Sequence, residues 1–141
     1  MEKYVRCYEL PDTEDTPFDR YTVVYARKGC YVTMSDNPDW PQGVCIHGEG
    51  NIDKPSSKHL GNRISLSDLP LACRKVVVRD IYEMKGLGSP NFNPGGDGAI
   101  ELGCTCPILD NSHGSEYEAN LRGGYWYSAN CPVHCNERRS S

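Results

Sequence analysis

The sequence predicts an α+β fold, because two adjoining runs of β-branched and aromatic residues precede one amphipathic stretch, and close pairs of cysteine and histidine follow it. The expected arrangement is a small antiparallel sheet with one main helix and a C-terminal zinc-ribbon-like hairpin. At 141 residues the chain suits one core with an appendage. Residues 1–88 read as the α+β core (hairpin, long loop, helix), and residues 89–141 as a Gly/Pro-rich linker with a Cys/His zinc-binding segment. With 14 glycines and 10 prolines the elements must be short. A metal staple is physically useful in such a chain, whose modest core offsets its conformational entropy poorly.

Tyr21–Ala26 and Cys30–Met34 are the two β runs, joined through Lys28–Gly29 as a hairpin. Tyr4–Leu10 supplies a third strand. From Ser35 to Gly61 the pattern breaks into Asp36-Asn37-Pro38, Trp40-Pro41-Gln42-Gly43 and Gly48-Glu49-Gly50, and is expected to be a long loop. Arg63–Leu66 reads as a short strand. Ser67-Asp68-Leu69-Pro70 then has the form of a helix start, a capping group followed by proline in the first turn. That helix should run to about Lys85, burying Leu69, Cys73, Val76, Val77 and Ile81, with Gly86 and Gly88 as its stop. Gly86–Gly98 marks a linker or rim loop. Ala99–Gly103 and Gly124–Ser128 are expected as strands, each delivering one ligand pair to the hairpin.

The ligands are Cys104 and Cys106 in one pair and Cys131 and His134 in the other, with 24 residues between Cys106 and Cys131. Thiolates and imidazole are the donors zinc prefers, and four of them make a Cys3His structural set. Cys131-Pro132-Val133-His134 has the spacing of a zinc knuckle, a tight turn whose N–H groups face the thiolate. His113 and Cys135 are substitutes within reach, so six residues compete for four places. A second site from Cys30 or Cys45 with His47 and His59 is a weaker alternative to surface histidines and a core thiol. Cys73 is assigned to the helix core.

Met1–Cys7 contains no basic segment followed by an apolar one, so no secretory signal is expected, and clustered cysteines then favour metal over disulfides. No apolar run approaches the roughly 20 residues that span a bilayer, so no membrane partner is expected. A net charge of −4 gives little general attraction for phosphates. Asp12-Thr13-Glu14-Asp15 reads as a solvated acidic loop.

Catalytic zinc would need an open fourth place and a base such as Asp110 or His113. The H-x-E with P-C-x-x-C pairing and the H-E-x-x-H motif are absent, and Ser112 and His113 are sequence neighbours, which do not usually face each other as a nucleophile pair requires. No catalytic residue is assigned. Asp110-Asn111-Ser112 is turn chemistry, and His113 beside Gly114 belongs to that turn.

Ser35-Asp36-Asn37-Pro38 through Pro41-Gln42-Gly43, His59-Leu60-Gly61-Asn62-Arg63-Ile64, Cys104-Thr105-Cys106-Pro107, Asp110-Asn111-Ser112-His113-Gly114 and Cys131-Pro132-Val133-His134 stand in this order. The set resembles small accessory proteins of tailed bacteriophages that carry CxCP, DNxHG and CPxH motifs. The resemblance spans most of residues 20–135 and implies a viral protein made in the cytoplasm of a bacterial host. Cys135 departs from the glycine that usually follows the knuckle in that group.

The leading functional expectation is a zinc-stabilised module that binds a host or phage protein, in a chain more readily a binder than an enzyme. A nucleic-acid-binding zinc ribbon is the alternative, with Trp126 stacking on bases and Arg122, Arg138 and Arg139 touching phosphates. A binder or hydrolase of a small signalling nucleotide, using the 35–61 loop with His47, His59 or His113, is the third.

Overall fold

The computed structural model describes residues 4–10, 20–25, 29–36, 44–51 and 61–134. Within them the chain is α+β. Five antiparallel strands, β1 (Val5–Glu9), β2 (Tyr21–Tyr25), β3 (Cys30–Asp36), β4 (Val44–Asn51) and β5 (Asn62–Ile64), form one sheet in the order β4-β3-β2-β1-β5. The helices are α1 (Leu71–Met84), α2 (Asp97–Glu101) and α3 (Glu116–Arg122). No helix among the described residues is long and apolar enough to cross a membrane.

The chain divides into two compact units, Met1–Val77 and Val78–Ser141, with the division inside α1. In the first unit, β2 is the central strand and all five of its residues are buried. Its register sets Val23 against Val32 on one side and against Cys7 on the other. Val23 and Met34 are wholly enclosed, as expected where β-branched and long apolar side chains meet across neighbouring strands. Gly61 precedes β5 with φ +93°, and a Cβ there would strike the Glu9 carbonyl, so only glycine lets the chain turn so close to β1.

β4 corrects the expectation of an unbroken loop from Ser35 to Gly61. The stretch pairs with β3 from Asp36↔Val44 to Cys30↔Asn51, across an irregularity between Thr33 and Met34. Gly48 and Gly50 hid it, since glycine weakens the side-chain pattern by which a strand is recognised while leaving the backbone free to complete a ladder.

The expected helix forms and buries Leu69, Cys73, Val76, Val77 and Ile81 as the stripe requires, with Val78 and Tyr82 buried as well. Its entry differs in detail. Ser67 and Asp68 lie in a 3-10 turn over Leu66–Asp68, where the Asp68 carboxylate accepts from the Ser65 N–H at 3.1 Å and the Ser65 hydroxyl at 2.9 Å. These bonds hold the Asp68 carboxyl below its usual range. At the exit Gly86 takes φ +68°, with its N–H on the Glu83 carbonyl and the Leu87 N–H on that of Tyr82, so these two carbonyls of the last turn of α1 are satisfied.

The second unit contains no zinc-ribbon hairpin among the described residues. Ala99–Glu101, expected as strand, belongs to α2, whose N-terminus Asp97 closes: its carboxylate accepts from the Asn91 and Gly98 N–H groups, both at 2.8 Å. Gly124–Ser128 is irregular. The Trp126 backbone is already occupied, its N–H donating to Asn111 Oδ1 at 2.6 Å and its carbonyl accepting from Asn111 Nδ2 at 2.7 Å. A side-chain amide has taken both bonds that a ladder would use.

Candidate metal centre

Cys104, Cys106, Cys131 and His134 come together in the second unit, with their four ligand atoms all within 4.8 Å of one another. The group can hold a metal ion. Each pair is delivered by a turn. After α2, Gly103 adopts φ +96° and donates to the Ile100 carbonyl while the Cys104 N–H returns to that of Ala99. This glycine-terminated helix end aims Cys104 toward the site. The second pair sits on the turn Cys131–His134, which starts where the Cys131 N–H meets the Ser128 carbonyl at 3.3 Å.

Two further bonds fasten the ligand segments to each other. Thr105 Oγ1 donates to Ser128 Oγ at 3.0 Å, and the Ser128 N–H points at the Cys106 sulfur at 3.4 Å. Cys106, Cys131 and His134 are buried, with Cys104 half-buried at the edge.

His134 Nδ1 lies 3.3 Å from the Cys104 sulfur, 3.7 Å from that of Cys106 and 3.4 Å from that of Cys131. The Cys104 and Cys131 sulfurs are 3.6 Å apart. The other ring nitrogen, Nε2, lies 2.7 Å from the Phe92 carbonyl oxygen. A carbonyl only accepts, so Nε2 carries the hydrogen and Nδ1 turns its lone pair toward the three sulfurs. The Phe92 carbonyl thus fixes the tautomer a ligand needs. The Tyr127 ring packs edge-on against His134, with centroids 6.4 Å apart.

The sulfurs are electrostatically unequal. Burial alone would raise the Cys131 thiol, but the N–H groups of Thr105, Val133 and His134, with the Cys106 thiol, bring it down to about 6. Burial pushes the Cys106 thiol up to about 12, against the Ser128 N–H and together with the neighbouring Cys131 and Cys104 sulfurs. Backbone dipoles aimed at Cys131 are the feature the knuckle spacing predicts.

The remaining sequence candidates are dispersed. His113 is exposed and outside the cluster, on a left-handed turn with Ser112 at φ 51° and His113 at φ 56°. Asp110 is exposed too. Cys7 and Cys73 are buried and Cys30 half-buried in the first unit. Cys135, His59, Arg138 and Arg139 lie outside the described residues, as do the side chains of Cys45 and His47. Of the three aromatics around Trp126, only Tyr127 has a ring contact with the ligand histidine, and Trp126 is exposed.

Sequence reasoning missed the groups that hold the turns. Asn111 is wholly buried, and besides clasping Trp126 its Nδ2 donates to the Pro107 carbonyl at 2.7 Å. The Gly114 carbonyl accepts from Asn91 Nδ2 at 2.9 Å, Asn93 Nδ2 at 3.2 Å and the Tyr125 hydroxyl at 3.3 Å. Gly114 is required there, because a Cβ would lie 2.9 Å from both Asn91 Oδ1 and Gly96 Cα. The signal was the density of asparagine and glycine, which reads equally well as loop.

No family model matches this chain, and neither a curated protein nor a solved structure matches it.

Proposed function

We propose that the four residues form a structural zinc site that folds the C-terminal unit into a protein-interaction module. The observation that carries this is the geometry of the donors. Tetrahedral zinc with roughly 2.3 Å bonds to sulfur sets sulfurs about 3.8 Å apart and a histidine nitrogen about 3.5 Å from each sulfur. The separations of 3.6 Å between Cys104 and Cys131 and of 3.3, 3.7 and 3.4 Å from His134 match that cage. Four protein donors close the coordination shell and leave no place for substrate or a reactive water, which favours a structural metal over a catalytic one.

The motif resemblance to tailed-phage accessory proteins supports a viral protein working in a bacterial cytoplasm, with a host factor or another phage protein as its target. Metal-replete expression and elemental analysis test the first half of this reading. About one zinc per chain is the expected result, and none overturns it. Capture from bacterial lysate by metal-loaded and metal-stripped chain tests the second half. A partner retained only by the loaded form is expected, while identical retention by both forms separates binding from the metal.

A further inference from the structure

Among the described residues, Ile46 is the only exposed large apolar side chain in the first unit, while the second unit exposes Ile108, Leu109, Tyr117, Leu121 and Trp126 among others. The exposure is extensive, 80% for Leu109, 71% for Tyr117, 68% for Leu121 and 62% for Trp126, so these side chains contribute little to the unit's own core. They stand on neighbouring segments. Asn111 ties the Trp126 backbone to the turn beginning at Pro107, which carries Ile108 and Leu109. Arg122, at the end of α3, reaches Ser112 Oγ at 3.4 Å, and one shallow concavity runs from Arg122 through Gly123 and Gly124 to Trp126. On α3, Tyr117 and Leu121 are four residues apart and share a helical face.

The charges among these apolar groups are acidic but for Arg122, which lines the concavity itself. Asp97, Glu101, Asp110, Glu116 and Glu118 are all exposed, and between residues 97 and 134 Arg122 is the single Lys or Arg. Glu116 acts on Tyr125, whose hydroxyl is raised by burial first and by that carboxylate next. A zinc ion bound by three thiolates would add a further unit of negative charge. Apolar surface set among acids repels a phosphate backbone and complements a segment with an apolar face flanked by Lys and Arg.

Resting on the interaction-module reading above, we infer that this surface docks a basic amphipathic peptide segment of the partner protein. The apolar side chains would cover its hydrophobic face, and Asp110, Glu116 and Glu118 would meet its cationic flanks.

Fluorescence anisotropy on the zinc-loaded full chain tests this with a labelled Leu/Lys amphipathic peptide of about five helical turns. A Leu/Glu peptide of the same pattern, a Leu/Lys peptide scrambled to lose its apolar face, and a single-stranded oligonucleotide serve as comparisons. Saturable binding of the first peptide alone is expected, weakening by about tenfold or more on moving to high salt. The doubly substituted Leu121→Ser/Trp126→Ser chain should lose about tenfold in affinity, and Glu116→Lys/Glu118→Lys a similar amount. Both pairs are exposed, so they leave the fold and the metal in place.

No binding of the amphipathic Leu/Lys peptide, equal binding of the Leu/Glu or scrambled peptide, preference for the oligonucleotide, or indifference to both double substitutions would each overturn the inference. Zinc content and chelator-sensitive melting on the same samples separate the two levels. Full zinc without peptide binding removes the docking surface and leaves the structural site standing, whereas absent zinc removes the reading beneath it.

Discussion

His134 Nε2 lies 2.7 Å from the carbonyl oxygen of Phe92, a residue 42 positions earlier, and this contact orients the only imidazole in the cluster. It couples the ligand to the Gly/Asn-rich segment before α2. The same Phe92 ring lies beneath the Arg79 guanidinium at 5.1 Å, a cation–π contact that braces the carbonyl's own residue. A histidine held at one nitrogen presents the other with little rotational freedom, so less ordering is needed when a metal binds.

This orientation makes a spectroscopic prediction. Nitrogen-15 NMR of the zinc-loaded chain should show His134 with a protonated Nε2 and an unprotonated, metal-shifted Nδ1. His134→Ala should lose most of its zinc, while His113→Ala should keep near-stoichiometric metal, because His113 is exposed and outside the cluster. Equal zinc in the two variants would remove His134 from the ligand set.

The cysteines should separate by their response to a chelator. On the proposed zinc site, Cys131→Ser would remove a ligand, and the binding energy that zinc would supply to folding would go with it. Its melting transition should be low and indifferent to EDTA. Cys73→Ala and Cys30→Ser should keep an EDTA-sensitive transition, even though Cys73 is wholly buried and its loss costs packing. An EDTA-sensitive Cys131→Ser chain would contradict the assignment.

That Cys104, Cys106, Cys131 and His134 form one cluster able to hold a metal was legible because its chemistry is local: Cys104 with Cys106 and Cys131 with His134 are near neighbours whose residue types suit a metal whatever surrounds them. The hairpin of β2 and β3 was legible for the same kind of reason, since Val23, Val24 and Val32 belong to short runs rich in strand-forming residues. Ala99–Glu101 differs from the expected strand because three residues of mixed apolar character suit helix or strand, and the deciding bonds are those the Asp97 carboxylate accepts from the Asn91 and Gly98 N–H groups. Asn111 was read as turn chemistry, yet its partner Trp126 is 15 residues away. Local pattern cannot reveal a bond whose other half is set by the fold.

Asn111 therefore carries the next prediction. Its amide satisfies the Trp126 N–H, the Trp126 carbonyl and the Pro107 carbonyl, and the side chain is fully enclosed. Asn111→Ala would leave these backbone groups short of partners, at a cost of roughly 3 kcal/mol. Denaturant unfolding should show that loss, and Asn111→Asp should recover only part of it, since a carboxylate accepts from the N–H but cannot donate to either carbonyl. A change below about 1 kcal/mol in Asn111→Ala would mean that the turn holds without its clasp.

The turn that Asn111 begins stores backbone strain. Ser112 and His113 follow one another at φ 51° and φ 56°, a conformation that L-residues with a Cβ adopt at a cost of roughly 1 kcal/mol each. His113 is exposed, so its side chain contributes little packing against that cost. His113→Gly should therefore stabilise the chain by up to about 1 kcal/mol, reduced by the greater entropy of glycine in the unfolded state. His113→Val should destabilise it, since a β-branched side chain tolerates this region least. Both variants should retain zinc, which keeps the measurement independent of the metal. If His113→Gly melts lower than the parent chain with its zinc intact, the imidazole makes a stabilising contact that outweighs the strain, and the exposed position assigned to His113 would be wrong.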